Sequence, residues 1–239
     1  MLQYQTVSDK LKNVLNELMQ IDDLHDFVLV GGTALALRYG HRISIDIDLF
    51  THRSFDVDEI DRSLESLFPE SLLLLKERHG FSREINKIKI DCYYFGTSFI
   101  RSPDVIDGIR ICSVEDIAVF KFESLVRLER KDFYDIAVIL DHFTLRDMVG
   151  YYKEKYPTHD IRMVFDNMLR FREAETTPLP NIIVPELTWK YVTNKISKSF
   201  SEYKSIMIEE KKEKEKIRIQ KAKELILRKK NRIKLDYIF

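Results

Sequence analysis

Asp46 and Asp48 stand one residue apart in the segment Ser44-Ile-Asp-Ile-Asp-Leu-Phe50. Apolar residues 45, 47 and 49 alternate with them, which is the period of a β-strand, so both carboxylates leave one sheet face with Cα atoms about 6.6 Å apart. That spacing lets two carboxylates converge on one or two hard cations. Asp91, flanked by Ile90 and Cys92 in a second alternating segment over 86–95, adds a third if the two strands are neighbours on the same face. Three clustered anions repel one another unless a cation joins them, and oxygen donors suit Mg²⁺, or Mn²⁺ in its place. The acidic-x-acidic pattern alone is weak in a chain with 39 acidic residues, and Asp56-Val57-Asp58 reads instead as the polar start of a helix. The setting distinguishes Asp46 and Asp48, whose strand places Ile45, Ile47 and Leu49 on the opposite, buried face. An ordinary half-exposed strand is the plain alternative.

A second feature lies 14 to 17 residues upstream. Phe27-Val28-Leu29-Val30 is short, apolar and β-rich; Gly31-Gly32 stops it, and Thr33 to Tyr39 favours helix until Gly40 ends it. Glycines between a strand and a helix N-terminus let phosphate oxygens approach backbone N–H groups, where the helix end adds partial positive charge. A tight turn without a ligand is the other reading of these residues. A phosphate cradle followed by a metal-binding carboxylate pair is harder to put down to chance than either feature alone.

Other elements must position these residues. Ser8 predicts a helix N-cap ahead of the stripe Leu11, Val14, Leu15, Leu18 and Met19, giving a helix over about 9–20. A helix over about 57–68 ends before Pro69, and 71–85 is ambiguous between strand and helix. Gly108 to Ile111 reads as a short strand, and Ser113 with Asp116 caps a helix carrying Ile117, Val119, Phe120 and Leu125. Another helix starts near Lys131 with Phe133, Ile136, Ala137 and Leu140. After about 145 the strand signals fade into helices with a Pro-containing joint at 178–187, then a charge-dense helix from Glu209 to Arg232. The fold class is therefore α/β (α+β), a mixed sheet flanked by helices, organised as a core over 1–145 and a helical region over 146–239.

At 239 residues the chain can bury a sizeable core without staples. Its 33% charged and 44% hydrophobic content excludes disordered and collagen-like classes. Cys92 and Cys112 form no CxxC pair and the six histidines no HxxxH or HExxH motif, which argues against a disulfide framework or a zinc enzyme. No apolar run approaches the roughly 18 residues of a membrane span, and the amino terminus lacks the pattern of a signal peptide, so a cytoplasmic protein is expected. Net charge divides unevenly: residues 1–208 hold 27 basic and 33 acidic residues, net −6, and residues 209–239 hold 12 and 6, net +6. Such a tail can lean on the acidic body, reach a polyanion such as RNA, or simply stay solvated.

These motifs, in order, resemble one family. Gly-Gly-Thr-Ala-Leu-Ala-Leu (31–37), Gly-His-Arg-Ile-Ser-Ile-Asp-Ile-Asp-Leu-Phe (40–50), Lys-Ile-Asp (89–91), Ser-Val-Glu-Asp-Ile-Ala-Val-Phe-Lys (113–121) and Arg-Lys-Asp-Phe-Tyr-Asp-Ile (130–136) resemble the AbiEii-type nucleotidyltransferases of the DNA polymerase β-like superfamily. The likeness covers about 20–145. It implies a Mg²⁺-dependent enzyme that moves a nucleotide from an NTP to an acceptor, a tRNA 3′ end or a protein, as the toxin partnered by a cognate antitoxin. It further implies that Asp46, Asp48 and Asp91 bind metal, with Asp91 able to draw the acceptor's proton. Gly31, Gly32 and Thr33 would hold the nucleotide phosphates. Arg42, Ser44, Lys121, Lys131, Asp132 and Asp135 would contact the nucleotide or complete its pocket. The rival from another class is a non-catalytic module that binds a nucleotide or a protein on the same fold.

Overall fold

The computed structural model describes residues 1–236, with backbone alone over 225–236. Two compact units divide the chain, Met1–Ser197 and Lys198–Phe239. The first unit is built on a seven-stranded mixed sheet of order β3-β4-β5-β2-β1-β7-β6. Its strands are β1 (Val28–Val30), β2 (Ile47–Thr51), β3 (Leu72–Glu77), β4 (Gly80–Ile85), β5 (Ile88–Tyr94), β6 (Asp104–Ile106) and β7 (Ile109–Ile111). β2 pairs antiparallel with β1 and parallel with β5, which sets two distant segments side by side at the centre. Val28, Leu29 and Val30 are all buried, as a central strand covered on both faces requires.

Helices cover the sheet. In α1 (Asp9–Met19) the Leu11 N–H donates to Ser8 Oγ at 3.1 Å, and the whole Leu11, Val14, Leu15, Leu18, Met19 stripe is buried. α2 (Gly31–Tyr39) buries Ala34, Leu35, Ala36 and Leu37 completely, because it lies between the sheet and helices α4 (Val114–Ser124) and α5 (Arg130–Ile139). Each such leucine contributes about 1.5–3 kcal/mol by leaving water. Gly40 ends α2 at φ +72°, its N–H donating to the Ala36 carbonyl at 2.8 Å. Asp56 caps α3 (Val57–Leu67), and Ser113 caps α4 by accepting from the Asp116 N–H at 3.1 Å. The unit continues through α6 (Leu145–Lys155), α7 (Arg162–Met168), α8 (Phe171–Glu175) and the first turns of α9 (Trp189–Asp236). The compact unit thus extends past 145, to Ser197.

Several boundaries differ from expectation. β2 begins at Ile47, not Ser44, so Asp46 precedes the strand and Ile45 is 68% exposed rather than buried. The sheet ends there because residues 44–46 are held by α2 and the amino-terminal segment instead: the Ser44 N–H donates to the Thr6 carbonyl at 2.8 Å. The ambiguous stretch 71–85 forms the hairpin β3–β4, and β4 joins β5 through Asn86 and Lys87, both in the left-handed region at φ +53° and +65°. β6, unmarked in the sequence, pairs antiparallel with β7. α9 starts at Trp189, twenty residues before the charge-dense run. In the second unit this helix exposes Ile206, Met207, Ile208, Ile217 and Ile219. The side chains of Leu225, Ile226 and Leu227 and of the basic residues after them lie outside the described residues. No described helix is long and apolar enough to cross a membrane.

Candidate active site

The junction of β1 and α2 has no loop: the helix starts at Gly31, directly after the strand. Val30 pairs with Asp48 across β1 and β2, so the chain must turn against that carboxylate. Gly31 does so at φ +68°, and a Cβ there would strike the Asp48 carboxylate; a Cβ on Gly32 would strike the Arg42 guanidinium. Both glycines are therefore needed for close approach. No side chain caps this helix, so the first amides of α2 open towards the cleft with the positive end of the helix dipole. Thr33 faces the other way. It is buried, and its hydroxyl donates to Ser44 Oγ at 2.8 Å and contacts the Asp46 carbonyl, fixing the segment that carries Asp46.

Asp48 and Asp91 sit directly opposite each other on the parallel strands β2 and β5. Ser82 Oγ donates to Asp91 Oδ1 at 2.5 Å, and Lys89 Nζ donates to Asp91 Oδ2 at 2.5 Å. Among the described residues Asp48 has no such partner: burial first, then the Asp91 charge, pushes its carboxyl up to about 6, with Asp46 adding and Lys121 and Lys89 opposing. A hard cation fits this set, since carboxylate oxygens are its preferred donors and a positive charge offsets the Asp91 repulsion that helps raise the Asp48 carboxyl. Among the described residues no three or more His, Cys, Asp or Glu side chains draw together tightly enough to cage an ion by themselves. The facing pair is Asp48 and Asp91, with Asp46 at the approach to the strand.

Behind the acids lies a network of paired charges. Arg42, buried, forks onto Asp135 through Nε to Oδ1 at 2.7 Å and Nη2 to Oδ2 at 2.8 Å. His41 Nε2 lies 2.7 Å from the same Oδ1. Lys121 Nζ bridges Asp135 Oδ2 at 2.6 Å and Asp132 Oδ1 at 2.9 Å, and Arg127 Nη2 meets Asp132 Oδ2 at 3.0 Å. Burial works against the Lys121 charge, yet Asp135 and Asp132 outweigh it and hold its pKa up. Burial likewise pushes Asp135 up, and Arg42 and Lys121 overturn that to hold it well below the usual carboxylate range. Lys121 does not snorkel from its helix, and Asp132 and Asp135 are fully buried anchors of the cations rather than dipole-favoured surface acids.

Front and rear meet in a cleft of about 840 Å³, within the range of small-ligand sites. Gly31, Gly32, Arg42, Ser44, Asp46, Asp48, Asp91, Lys121 and Lys131 line it; Thr33, Asp132 and Asp135 stand behind its wall. Lys131, at the start of α5, pairs with Glu129 at 2.9 Å. Sequence reasoning missed Lys89, although it opens the Lys-Ile-Asp motif, and Arg127, which a single 3₁₀ turn carries. It also missed Leu179, Pro180 and Asn181, which complete the wall. The Pro-containing joint reaches the cleft because the Ile43 N–H donates to the Asn181 carbonyl at 2.8 Å and the Ile183 N–H to the His41 carbonyl at 2.9 Å. No local signal in the joint points to that contact.

A mixed sheet thus brings paired aspartates to the glycine-rich N-terminus of a helix, and comparison with known proteins gives the class of protein that carries this arrangement. The family model described as "Nucleotidyl transferase AbiEii toxin, Type IV TA system" matches residues 13–190, and the chain belongs to that family of type IV toxin–antitoxin systems. An uncharacterized protein of Aquifex aeolicus is 27% identical over 199 residues, spanning 80% of this chain and 95% of that one. Among solved structures, JHP933 from Helicobacter pylori aligns with 84% of this chain and 99% of its own at 16% identity and a TM-score of 0.43. The antibiotic-resistance factor ANT(2'')-Ia aligns with 61% and 91% at 18% identity and a TM-score of 0.46.

Proposed function

We propose that this cleft moves a nucleotidyl group from a nucleoside triphosphate to an acceptor, with Mg²⁺ or Mn²⁺ required, and that the acceptor is a tRNA 3′ end or a protein. One observation carries the reading: Asp48 and Asp91 face each other in register beside the uncapped amides of α2. The amides of Gly31, Gly32 and Thr33 hold the phosphate tail, and Lys121, Lys131 and Arg127 offset its charge. Asp48 and Asp91, with Asp46 at the approach to the strand, would hold the cation, which would supply positive charge against the reacting phosphate. The acceptor oxygen attacks the α-phosphorus, the bond from that phosphorus to the oxygen bridging to the β-phosphorus breaks, and pyrophosphate leaves. Asp91 takes the acceptor's proton. Arg42, Ser44, Asp132 and Asp135 set the positions of the groups in front of them.

Membership of a toxin family supports a toxin restrained by a cognate antitoxin. The net charge of +6 over 209–239 suits a polyanionic acceptor such as tRNA. The test incubates the purified chain with Mg²⁺, each α-³²P-labelled NTP in turn, total tRNA and its own protein, beside an Asp46→Ala/Asp48→Ala variant. Label on RNA or protein, present only with the intact pair, is the expected result. Absence of label, together with absence of any Mg²⁺-dependent rise in melting temperature with NTP, would leave the binding module as the better account.

A further inference from the structure

The cleft is divided by chemistry. Its floor carries the glycine turn, the facing acids and Lys121, whereas three large apolar side chains that line it remain in water: Ile45 at 68%, Val126 at 60% and Leu179 at 59% exposure. A single exposed apolar residue needs no explanation, but three lining one cleft give a ligand apolar surface to cover. They come from three separate segments: the approach to β2, the 3₁₀ turn Leu125–Arg127 and the 178–187 joint. Backbone contacts hold each in place. The Ile43 N–H donates to the Asn181 carbonyl at 2.8 Å, tying the first segment to the third, and the Leu128 N–H donates to the Leu125 carbonyl at 3.1 Å, closing the turn that presents Val126.

We infer that Ile45, Val126 and Leu179 form an apolar seat for the base of the bound nucleotide, and that the Asn181 amide beside it reads the edge of that base. The inference rests on the nucleotidyl-transfer reading for its orientation, phosphates on the glycine turn and base at the rim. A ligand that fills both zones has a polyanionic tail and a flat face of low polarity, which is the chemistry of a nucleoside triphosphate. A purely apolar ligand has no use for the amides of α2, and a bare polyphosphate has none for the rim. Aliphatic side chains hold any base by dispersion and exclusion of water, so the seat adds affinity without choosing among bases. Choice needs hydrogen bonds to the base edge, and the exposed Asn181 side chain, on a segment fixed through its own carbonyl, offers donor and acceptor together.

The experiment titrates each of the four NTPs and inorganic tripolyphosphate, with Mg²⁺, into the full chain and into Ile45→Ser, Leu179→Ser and Asn181→Ala variants, and reads Kd by calorimetry. The two serine variants change exposed residues, and circular dichroism checks their folding. Each should weaken all four NTPs about tenfold, the scale of one apolar side chain withdrawn from contact, and leave tripolyphosphate within twofold. Asn181→Ala should change the ratio between the tightest and weakest NTP at least fivefold. Unchanged NTP affinity in both serine variants, or equal weakening of NTP and tripolyphosphate, overturns the seat; an unchanged ratio overturns the role of Asn181. Labelled transfer by the native chain separates the two levels. Transfer with unmoved affinities defeats the seat alone, whereas absent transfer with the expected affinity losses defeats the transfer reading and leaves a nucleotide seat.

Discussion

Asp48, half-buried on the cleft, and Asp135, fully buried behind it, are two aspartates of one compact unit whose ionisation is pushed in opposite directions. Asp48 is raised to about 6 by burial and by the facing Asp91. Asp135 is held well below the usual carboxylate range, because Arg42 and Lys121 overcome its burial. The difference lies in where the compensating charge comes from. Behind the cleft the chain supplies its own cations with bidentate geometry, so the network is complete without a ligand. In front it gathers like charges and leaves Asp48 short of a partner, a cost in stability that makes sense where a cation and phosphates arrive from solution.

That contrast can be broken from either side. The largest effect is expected from Asp48→Asn, which keeps the shape of the side chain and removes its charge: transfer of label should fall at least about 10³-fold, while the melting temperature holds or rises. A lowered melting temperature with full transfer would reverse the assignment of front and rear. Next is Asp135→Asn, which strands the buried Arg42 and Lys121 charges and should cost about 3–5 kcal/mol in urea unfolding, whatever its effect on activity. If that variant unfolds at the native urea concentration, the rear network carries no stability.

The pH dependence sharpens the same comparison. Because the folded pKa of Asp48 lies above its unfolded value of 3.8, the metal-free fold binds extra proton between about pH 4 and 6, so this group's contribution to stability grows as pH falls through 6. The gain between pH 7 and 4 is on the order of 2 kcal/mol, discounted for water in the cleft, and it should vanish in Asp48→Asn and shrink when Mg²⁺ is added. Asp135 has the opposite sign: its contribution is present above the unfolded carboxylate pKa and is lost only as pH falls through its depressed folded value. Chemical unfolding at a series of pH values, with and without Mg²⁺, reads both. The smallest effect belongs to Lys131→Ala. Its pair with Glu129 is exposed, so stability should change by less than about 1 kcal/mol, while KM for NTP rises a few-fold through loss of a cleft cation.

The parts of the fold legible from sequence are those fixed by neighbours along the chain. Ser8, Asp56 and Ser113 cap the helices where their side chains accept nearby amides, and the α1 stripe is buried in full. The exposed β3, with all six residues in water, carries no alternation to betray it, because its leucines face solvent on both sides of an edge strand. Ile45 shows the limit of periodicity. Its alternation with Asp46 and Ile47 continues the strand pattern, but hydrogen bonding to Thr6 and Thr33 takes the segment out of the sheet and turns Ile45 to the cleft.

The sequence by itself determined the chemistry available: three aspartates, a Gly-Gly turn that only residues lacking Cβ can make against Asp48 and Arg42, and basic side chains in a fixed order. Tertiary structure decided which of them meet. Lateral pairing of β2 with β5 set Asp48 against Asp91 across 43 positions of sequence, and packing of α4 and α5 against α2 buried Arg42, Lys121, Asp132 and Asp135 as mutual partners behind the wall. The reason is physical. Caps, turns and periodicity act over a few residues, whereas the charge environment of a carboxylate depends on groups within a few ångströms, and only the folded chain chooses those.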